Sequence, residues 1–301
     1  MSGRRHLVLV NPSAGGGRTR DLLPGLEGAL RARGLAYRLV MTTSLDHGVE
    51  EARAAAADGE VPVVMSGDGL IGQIGGVVAG TGVPLGVIPG GRGNDFARVV
   101  GIPTAIPEAV DLLAAGTTRS IDVGEVNGRR FLCIASCGFD SDANRIANEA
   151  RLVKGNLVYL YAALRALVAW KPARFEVSLD GERREFTGYA VAAANNRAYG
   201  GGMFLAPDAE LDDGKLDVVW TSDVSKLRFL TNLPKVFKGR HVDNPEVTVL
   251  RGSRVEINAD RPFAVYADGD HITDLPATVH VLPRALDVIA PPDGAAGPPG
   301  T

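Results

Sequence analysis

Two glycine-rich segments that each carry an aspartate are the part of this sequence best suited to chemistry. Gly67-Asp68-Gly69 follows the apolar run Val61–Met65, and a second segment that ends in Asp95 follows the run Leu85–Ile88. Glycine lets backbone N–H groups approach a phosphate closely, and a carboxylate beside a phosphate needs a cation between them. Because loops at the carboxyl ends of neighbouring parallel strands meet at one sheet edge, this pairing predicts a phosphate held through Mg²⁺.

The first of these loops also fits the dinucleotide-binding pattern G-x-G-x-x-G, through Gly67, Gly69 and Gly72. Two features weigh against a nicotinamide dinucleotide. The loop belongs to the third strand–helix unit, not the first, and no acid follows about 20 residues later to hold a ribose. Asp68 would also repel a pyrophosphate unless a cation lay between them. A metal-assisted phosphate site is therefore favoured, and a dehydrogenase stays as an alternative.

Two more segments carry chemically useful residues. Asn11-Pro12-Ser13-Ala14-Gly15 lies between a strand and a helix. This junction presents backbone N–H groups to an anion, although a flexible tight turn has the same composition. Asp268-Gly269-Asp270 follows the strand-like run Phe263–Ala267, and strand alternation places its two acids on one side. A carboxylate there could accept the proton of an attacking hydroxyl, and a surface turn is the alternative.

The predicted secondary structure around these segments changes along the chain, from alternating strands and helices to mostly strands. Four successive strand–helix units predict a doubly wound α/β domain over 1–119. From 120 to 290, short alternating strands predict a β-sandwich domain that opens with a hairpin of Ile121–Val126 and Arg130–Ala135. Two helices, Leu157–Trp170 and Ser225–Phe237, are inserted in it. The Pro/Gly-rich segment 291–301 predicts a disordered tail.

Composition excludes several classes of function. The net charge of −3 and the aromatic content of 6% give no electrostatic or stacking basis for binding nucleic acid. No apolar run reaches about 18 residues, so no transmembrane segment is predicted, and the apolar start is too short for a signal peptide. Cys133 and Cys137 match no common zinc spacing and are predicted to be core residues. A cytoplasmic location is expected.

Five motifs occur in order along the chain. They are Asn11-Pro12-Ser13-Ala14-Gly15, Ser66-Gly67-Asp68-Gly69, Gly90-Gly91-Arg92-Gly93-Asn94-Asp95-Phe96-Ala97-Arg98, Pro207-Asp208-Ala209-Glu210-Leu211-Asp212-Asp213-Gly214-Lys215-Leu216-Asp217-Val218 and Asp268-Gly269-Asp270. Together they resemble the diacylglycerol kinase catalytic family, which includes bacterial lipid kinases, ceramide kinases and sphingosine kinases. The resemblance implies an ATP-dependent kinase of a lipid hydroxyl, with a nucleotide-binding α/β domain and a β-sandwich domain beside the cleft.

The resemblance also implies roles for residues at the matching positions. The ATP site would comprise Asn11, Pro12, Ser13, Ala14, Gly15, Thr43, Gly67, Asp68, Gly69, Leu70, Ile71, Gly72, Gln73, Arg92, Asn94 and Asp95. Asp68, Asp95 and Asp122 would hold catalytic Mg²⁺, directly or through water. Asp270 would be the general base, with Asp268 its competitor. A structural Mg²⁺ would use the Asp213 side chain and the backbone carbonyls of Glu210 and Lys215, where the residues alone also fit a solvated turn.

Three positions depart from the family pattern, which usually has threonine at Leu70 and glutamate at both Gln73 and Asp270. Leucine removes a hydroxyl and glutamine removes a charge. Aspartate shortens the reach by about 1.5 Å, a displacement that can slow a reaction about 100-fold. Two further alternatives therefore stay open: a weakened or inactive nucleotide- or lipid-binding relative, and a kinase of a soluble hydroxyl like the NAD kinases, which share the Gly-Asp-Gly loop.

A lipid acceptor has to be reached at a membrane surface. Leu157–Trp170 is apolar nearly all round and could line a lipid pocket, lie on a membrane or be a core helix. The basic residues Lys226, Arg228, Lys235, Lys238 and Arg240 could attract anionic lipid or form a solvated face. Peripheral membrane association is compatible with this sequence, and so is a homodimer.

Overall fold

A parallel sheet forms the first half of the molecule. The structure is a computed structural model, and it describes residues 4–139, 141–142, 146 and 165–292. Its strands are β1 (His6–Val10), β2 (Tyr37–Met41), β3 (Val61–Ser66) and β4 (Gly86–Pro89). They lie in the order β2-β1-β3-β4. The helices are α1 (Arg18–Ala32), α2 (Leu45–Ala57), α3 (Asp68–Val78), α4 (Asp95–Val99) and α5 (Ile106–Ala115).

Every residue of β1 is buried, because helices cover both faces of this sheet. Leu7 and Leu9 pack on one face with apolar side chains of α2 and α3. Val8 and Val10 pack on the other face with α1 and α5. Strands that are apolar on both faces are typical of a parallel sheet between two helical layers. The α/β fold predicted for this part of the chain is confirmed.

Antiparallel strands form the second half. They are β5 (Thr118–Val126), β6 (Arg129–Phe131), β7 (Ile134–Gly138), β8 (Ala173–Leu179), β9 (Glu182–Ala194), β10 (Leu216–Ser222), β11 (Val247–Gly252), β12 (Arg254–Ala259), β13 (Ala264–Ala267), β14 (Asp270–Asp274) and β15 (Ala277–Ile289). Within the described residues they pair in the order β14-β13-β7-β9-β8-β12-β15-β5-β6, and β10 links β9 to β11. Their core includes Phe175, Tyr189 and Trp220. The predicted β-sandwich-like fold is confirmed.

The helix α6 (Lys226–Val236) follows β10, and it begins after Ser225, whose side chain accepts the N–H of Arg228. This N-cap is the polar residue that a helix start favours. The predicted helix Ser225–Phe237 is therefore present to within one residue at each end.

The end of β15 joins the two halves of the molecule. Leu85 donates its N–H to the carbonyl of Asp287, and Ile289 donates to the carbonyl of Leu85, both at 2.8 Å. Leu85 directly precedes β4, the strand that leads into the second glycine-rich loop. These bonds therefore fix that loop relative to the antiparallel sheet.

The strand predicted over Arg130–Ala135 is two strands, β6 and β7. The chain leaves the ladder at Leu132 and Cys133, because their N–H groups bond to the carboxylate of Asp268. A long-range partner therefore breaks a segment that is locally suited to one strand.

The strand β14 was not predicted. Asp268 and Gly269 form the two-residue turn between β13 and β14, with φ angles of 51° and 93°. Asp-Gly is a favoured pair for such a hairpin turn. The strand β15 stays paired with β5 along its length, because the ladder contains a register shift between Leu282 and Leu286.

Some predictions fall at the limits of the described residues. The helix Leu157–Trp170 lies outside them as far as position 164, and 165–169 are helical. The tail 291–301 lies outside them from position 293, and the domain limits at 119 and 290 stay predictions. Cys133 and Cys137 are buried, as predicted for core residues. No helix among the described residues is long and apolar enough to cross a membrane.

Candidate functional site

The two glycine-rich loops lie against each other at the carboxyl ends of β3 and β4. A Cβ on Gly91 would lie 2.5 Å from the Cα of Gly67, so the contact requires glycine. Asn94 holds the second loop closed, because its Oδ1 accepts the N–H of Gly91 (2.8 Å) and its Nδ2 donates to the Gly91 carbonyl (3.2 Å). The Asn94 side chain makes no cap hydrogen bond to α4.

Asp68 and Asp95 each place one carboxylate oxygen beside Gly93. A Cβ on Gly93 would lie 3.2 Å from Oδ2 of each, so the two oxygens lie within twice that distance of each other. Asp68 Oδ1 accepts the N–H of Phe96 at 3.0 Å. Burial raises the pKa of Asp95, and the negative charge of Asp68 adds to the rise. Two carboxylates in this arrangement suit a divalent cation that also binds phosphate oxygens.

Gly200, Gly201 and Gly202 form a part of the site that sequence reasoning missed. Their φ angles are 63°, 87° and 104°, in the left-handed region that favours glycine. The N–H of Gly201 donates to Asp95 Oδ2 at 2.6 Å. The segment follows β9, so it brings the antiparallel half of the molecule to the carboxylates. The run of three glycines was the available signal.

The hairpin turn between β13 and β14 brings a third carboxylate to this region. Asp268 accepts hydrogen bonds from the backbone N–H groups of residues 132–134, at 2.7, 2.8 and 3.3 Å. Its carboxylate lies inside the fold, and a Cβ on Gly72 of α3 would clash with it. Burial raises the pKa of Asp268 to about 6 in spite of these three donors. The carboxylate of Asp268 is thus committed to holding the turn.

Asp270 lies at the first position of β14 and faces α3. Its Oδ2 accepts a hydrogen bond from Nε2 of Gln73 at 2.7 Å, and a Cβ on Gly69 would lie 3.8 Å from the same oxygen. Strand alternation is therefore the wrong reason for placing Asp268 and Asp270 on one side. Both face α3 because the turn that carries them packs on this helix.

A cleft of about 450 Å³ lies beside the first glycine-containing turn. It is lined by Asn11, Pro12, Ser13, Arg20, Met41, Thr42, Thr43, Ser44, Leu45 and Leu70. The cleft therefore brings together predicted nucleotide residues from three separate segments. Sequence reasoning missed Arg20 and Ser44. Arg20 lies in the first turn of α1, where its cation could meet a phosphate.

The other predicted nucleotide residues lie in different surroundings. A Cβ on Gly15 would lie 2.8 Å from the Gly90 carbonyl oxygen, so the first turn touches the second glycine-rich loop. Arg92 extends from that loop toward Gly16. Ile71, by contrast, is fully buried in the core. Its side chain cannot contact a nucleotide, and the prediction for Ile71 is corrected.

Asp122 binds backbone N–H groups with both of its carboxylate oxygens. Its Oδ2 accepts the N–H of Gly214 and its Oδ1 accepts the N–H of Arg284, both at 2.7 Å. Asp122 is fully buried, and its two oxygens tie β5 to the 210–215 turn and to β15. Asp122 therefore has a structural role, and its place at the catalytic metal stays a prediction.

In the acidic turn predicted to hold a structural Mg²⁺, the Asp213 carboxylate pairs with other groups of the protein. Asp213 Oδ1 accepts the N–H of Lys215 at 2.9 Å, and its Oδ2 pairs with Arg251 at 2.6 Å. Asp217 faces the same guanidinium at 3.4 Å, and burial raises its pKa to about 6. These contacts use the Asp213 carboxylate and leave out the backbone carbonyls of Glu210 and Lys215, so the structural Mg²⁺ at Glu210, Asp213 and Lys215 stays a prediction. In the part of the chain that the structure describes, no three His, Cys, Asp or Glu residues are grouped to hold a metal.

Known proteins resemble this chain over nearly its whole length. Residues 5–126 match the family model of the diacylglycerol kinase catalytic domain, and residues 133–290 match the YegS C-terminal NAD kinase beta sandwich-like domain. A protein named diacylglycerol kinase from Mycobacterium tuberculosis (strain ATCC 25618 / H37Rv) is 36% identical over 304 residues, which cover 97% of this chain and 98% of that protein.

A diacylglycerol kinase from Bacillus subtilis (strain 168) is 27% identical over 299 residues, with coverage of 97% and 98%. The crystal structure of a diacylglycerol kinase from Bacillus anthracis str. Sterne has the same fold. Its TM-score is 0.77 at 22% sequence identity, and the match covers 98% of this chain and 100% of that chain.

Proposed function

The chain belongs to the diacylglycerol kinase family, and on this premise we propose that it transfers the γ-phosphoryl group of ATP to the hydroxyl of a lipid. Diacylglycerol or a related lipid alcohol is the proposed acceptor. One observation carries the proposal: Asp68 and Asp95 from the parallel sheet and Asp270 from the antiparallel sheet border the same loops. Phosphoryl transfer needs carboxylates of this kind, both for a cation and for a proton.

The cleft beside residues 11–13 is the proposed nucleotide site. Its volume of about 450 Å³ is in the range of small-molecule sites, roughly 300–1,000 Å³. Arg20 lines the cleft and adds positive charge, and Leu70 lines it from the loop that starts at Gly67. Arg92 lies outside the lining but extends toward Gly16, next to the turn that borders the cleft. These features support the binding of a triphosphate.

Asp68 and Asp95 are the proposed ligands of Mg²⁺, because both place a carboxylate oxygen beside Gly93. When bound, the ion supplies neutralisation of the charge on the phosphate oxygens. The N–H of Gly201 fixes the orientation of the Asp95 carboxylate. Asp122 has no part in this proposal.

Asp270 is the proposed general base, which would accept the proton of the lipid hydroxyl as its oxygen attacks phosphorus. The competing residue, Asp268, already accepts three backbone hydrogen bonds and lies inside the fold. A carboxylate held in that way is suited to fixing the hairpin. Asp268 is therefore a positioning residue in this proposal.

An apolar cavity in the antiparallel half supports a lipid acceptor, although its volume of about 90 Å³ has room for only part of an acyl chain. Its walls include Val219, Phe229 and Leu233, from β10 and α6. Tyr199 and Met203 also line it, and between them lies Gly201, which bonds to Asp95. A lipid with part of an acyl chain in this cavity would lie beside the segment that bonds to Asp95. This adjacency favours a lipid over a soluble acceptor.

The surface around α6 is the proposed contact with the membrane. Val168, Leu227 and Phe237 are 81%, 72% and 53% exposed, although they are large apolar residues. Lys226 and Lys238 flank them with positive charge, which anionic lipid attracts. Co-sedimentation with vesicles that contain or lack anionic lipid tests this surface. Leu227→Asp is expected to weaken vesicle binding and to leave ATP binding unchanged.

Purified protein with radiolabelled ATP, Mg²⁺ and a panel of lipid alcohols tests the kinase assignment. We expect a labelled lipid product, a loss of at least 1,000-fold in kcat for Asp270→Asn, and wild-type activity for Asp274→Asn, an exposed acid of the same strand. Nucleotide binding without turnover on any acceptor would instead favour an inactive relative. Phosphorylation of NAD would favour a soluble acceptor, and NAD(H) binding without Mg²⁺ would favour a dehydrogenase.

A further inference from the structure

We propose that Gln73 is a positioning residue for Asp270. Its side-chain amide would hold one oxygen of the carboxylate so that the other oxygen faces the acceptor hydroxyl. This inference rests on the proposed function, in which Asp270 is the general base. It changes the role of Gln73 from a nucleotide contact, as its place in the glycine-rich motif implied, to a contact with the reacting carboxylate.

The geometry of α3 supports this role. Gly69, Gly72 and Gln73 are spaced at i, i+3 and i+4, so they lie on one face of the helix. The turn that carries Asp268 and Asp270 packs on this face, where the two glycines leave room for it. Gln73 extends from the same face, and its Nε2 lies 2.7 Å from Asp270 Oδ2.

The hairpin is thus held at two points that serve different purposes. Asp268 anchors the turn to the backbone of residues 132–134, which fixes where the hairpin lies. Gln73 acts on the next acid and fixes how its carboxylate is rotated. In the described part of the chain, Asp270 Oδ1 accepts no hydrogen bond from the protein, so this oxygen is available to a ligand.

An amide at position 73 can donate to a carboxylate without ionising. A glutamate there would place a second negative charge against Asp270, and the two carboxylates would compete for one proton. The family pattern usually has glutamate at both positions. In the structure the two positions that depart from the family pattern contact each other, because Gln73 donates a hydrogen bond that Asp270 accepts.

A double-mutant cycle tests the pairing. The enzyme variants are Gln73→Met, which keeps the bulk of the side chain and removes the donor, Asp270→Asn, and the double variant. We expect Gln73→Met to lower kcat about 10- to 100-fold, because a displacement of the base by about 1 Å can slow the reaction by about 100-fold. The KM values for ATP and for lipid are expected to change by less than about twofold. In the Asp270→Asn background, Gln73→Met is expected to have no further effect. Gln73→Glu is expected to lower kcat at least as much as Gln73→Met.

Val77→Ala is the control, because it shortens a side chain one turn further along α3 and removes no hydrogen-bond donor. It is expected to lower the melting temperature without changing kcat by more than about twofold. Equal losses of kcat from Gln73→Met in both backgrounds would overturn the pairing. So would a raised KM for ATP with unchanged kcat, which would return Gln73 to the nucleotide.

Transfer to water, measured as ATP hydrolysis without a lipid, separates this inference from the proposed function. A wild-type protein that hydrolyses ATP and shows the coupled pattern, but phosphorylates no lipid, would refute the lipid acceptor and support the pairing. An active lipid kinase with an additive cycle would refute the pairing alone. A wild-type protein that transfers phosphate to neither would overturn both.

Discussion

The backbone N–H of Leu132 and the carboxylate of Asp268 form a hydrogen bond of 2.7 Å across 136 positions of the sequence. The next two N–H groups bond to the same carboxylate, so one side chain holds the break between β6 and β7. The same residue forms the turn that leads to Asp270. The position of the proposed base therefore depends on a contact that is remote in sequence.

Asp268→Asn is expected to destabilise the protein and to displace the base. The substitution replaces one acceptor oxygen by a donor NH₂ group, so at least one backbone N–H loses its partner. We expect the free energy of unfolding to fall by about 1–3 kcal/mol and kcat to fall at least 10-fold. Urea unfolding and steady-state kinetics measure the two effects. Asp274→Asn should change stability by less than about 0.5 kcal/mol, and an equal loss in both variants would contradict the prediction.

The same carboxylate should make stability depend on pH. Burial raises the pKa of Asp268 from 3.8 to about 6, so between these values the folded state binds a proton that the unfolded state has lost. By linkage, the free energy of unfolding falls as pH rises through this window. The free energy of unfolding of the wild type, measured relative to that of Asp268→Asn, is expected to fall by up to about 3 kcal/mol between pH 4 and pH 6. Urea unfolding at steps of half a pH unit measures the difference, and a difference that rises with pH would refute the prediction.

Gly91→Ala should separate the two glycine-rich loops. Its Cβ would lie 2.5 Å from the Cα of Gly67, and neither backbone can yield without moving a loop. We expect kcat/KM for ATP to fall about 100-fold, because the phosphate site and Asp68 are displaced together. Kinetics at saturating lipid measures this effect.

Gly28→Ala on α1 is the control for the glycine substitution. Nothing lies within 4 Å of a Cβ at this exposed position. The substitution is expected to stabilise the helix by about 0.5–1 kcal/mol and to leave kcat/KM unchanged. If the two variants had equal activity, the contact between the loops would have no functional role.

The convergence of Asp68 and Asp95 could be predicted because it follows from local patterns. Two apolar runs identify neighbouring parallel strands, and parallel strands place their following loops at one edge. Predicting where these two loops lie requires no knowledge of contacts between residues that are distant in sequence. In the structure the two loops meet at this edge, where Gly67 contacts Gly91.

The roles of Asp122, Asp268 and Gly201 could not be predicted, because each depends on residues far away in the chain. Asp122 has the composition of a metal ligand, yet Gly214 and Arg284 donate to its oxygens. Asp268-Gly269-Asp270 fits both a turn and a pair of catalytic acids, and only the hydrogen bonds from residues 132–134 show that Asp268 holds the turn. Local propensity does not distinguish these outcomes, since tertiary contacts decide them.

Ala190→Leu should distinguish long-chain from short-chain acceptors. Ala190 lines the apolar cavity, so three additional carbon atoms would occupy space proposed for an acyl chain. We expect KM for a long-chain diacylglycerol to rise at least 10-fold, because a pocket that loses room for about two methylenes loses about 1.5 kcal/mol of binding. A short-chain analogue and the hydrolysis of ATP in water should be affected less than twofold.

Ala54→Leu is the matched control, because it adds the same volume at an exposed position of α2. Both variants are first compared by thermal unfolding, since overpacking at Ala190 is expected to cost about 1–3 kcal/mol. Chain-length dependence separates that cost from a binding effect, because a merely destabilised enzyme would lose activity on both acceptors alike. If Ala190→Leu raised KM equally for long and short chains, the cavity would not be the acyl site, and the acceptor would have to lie elsewhere along the surface near Asp270.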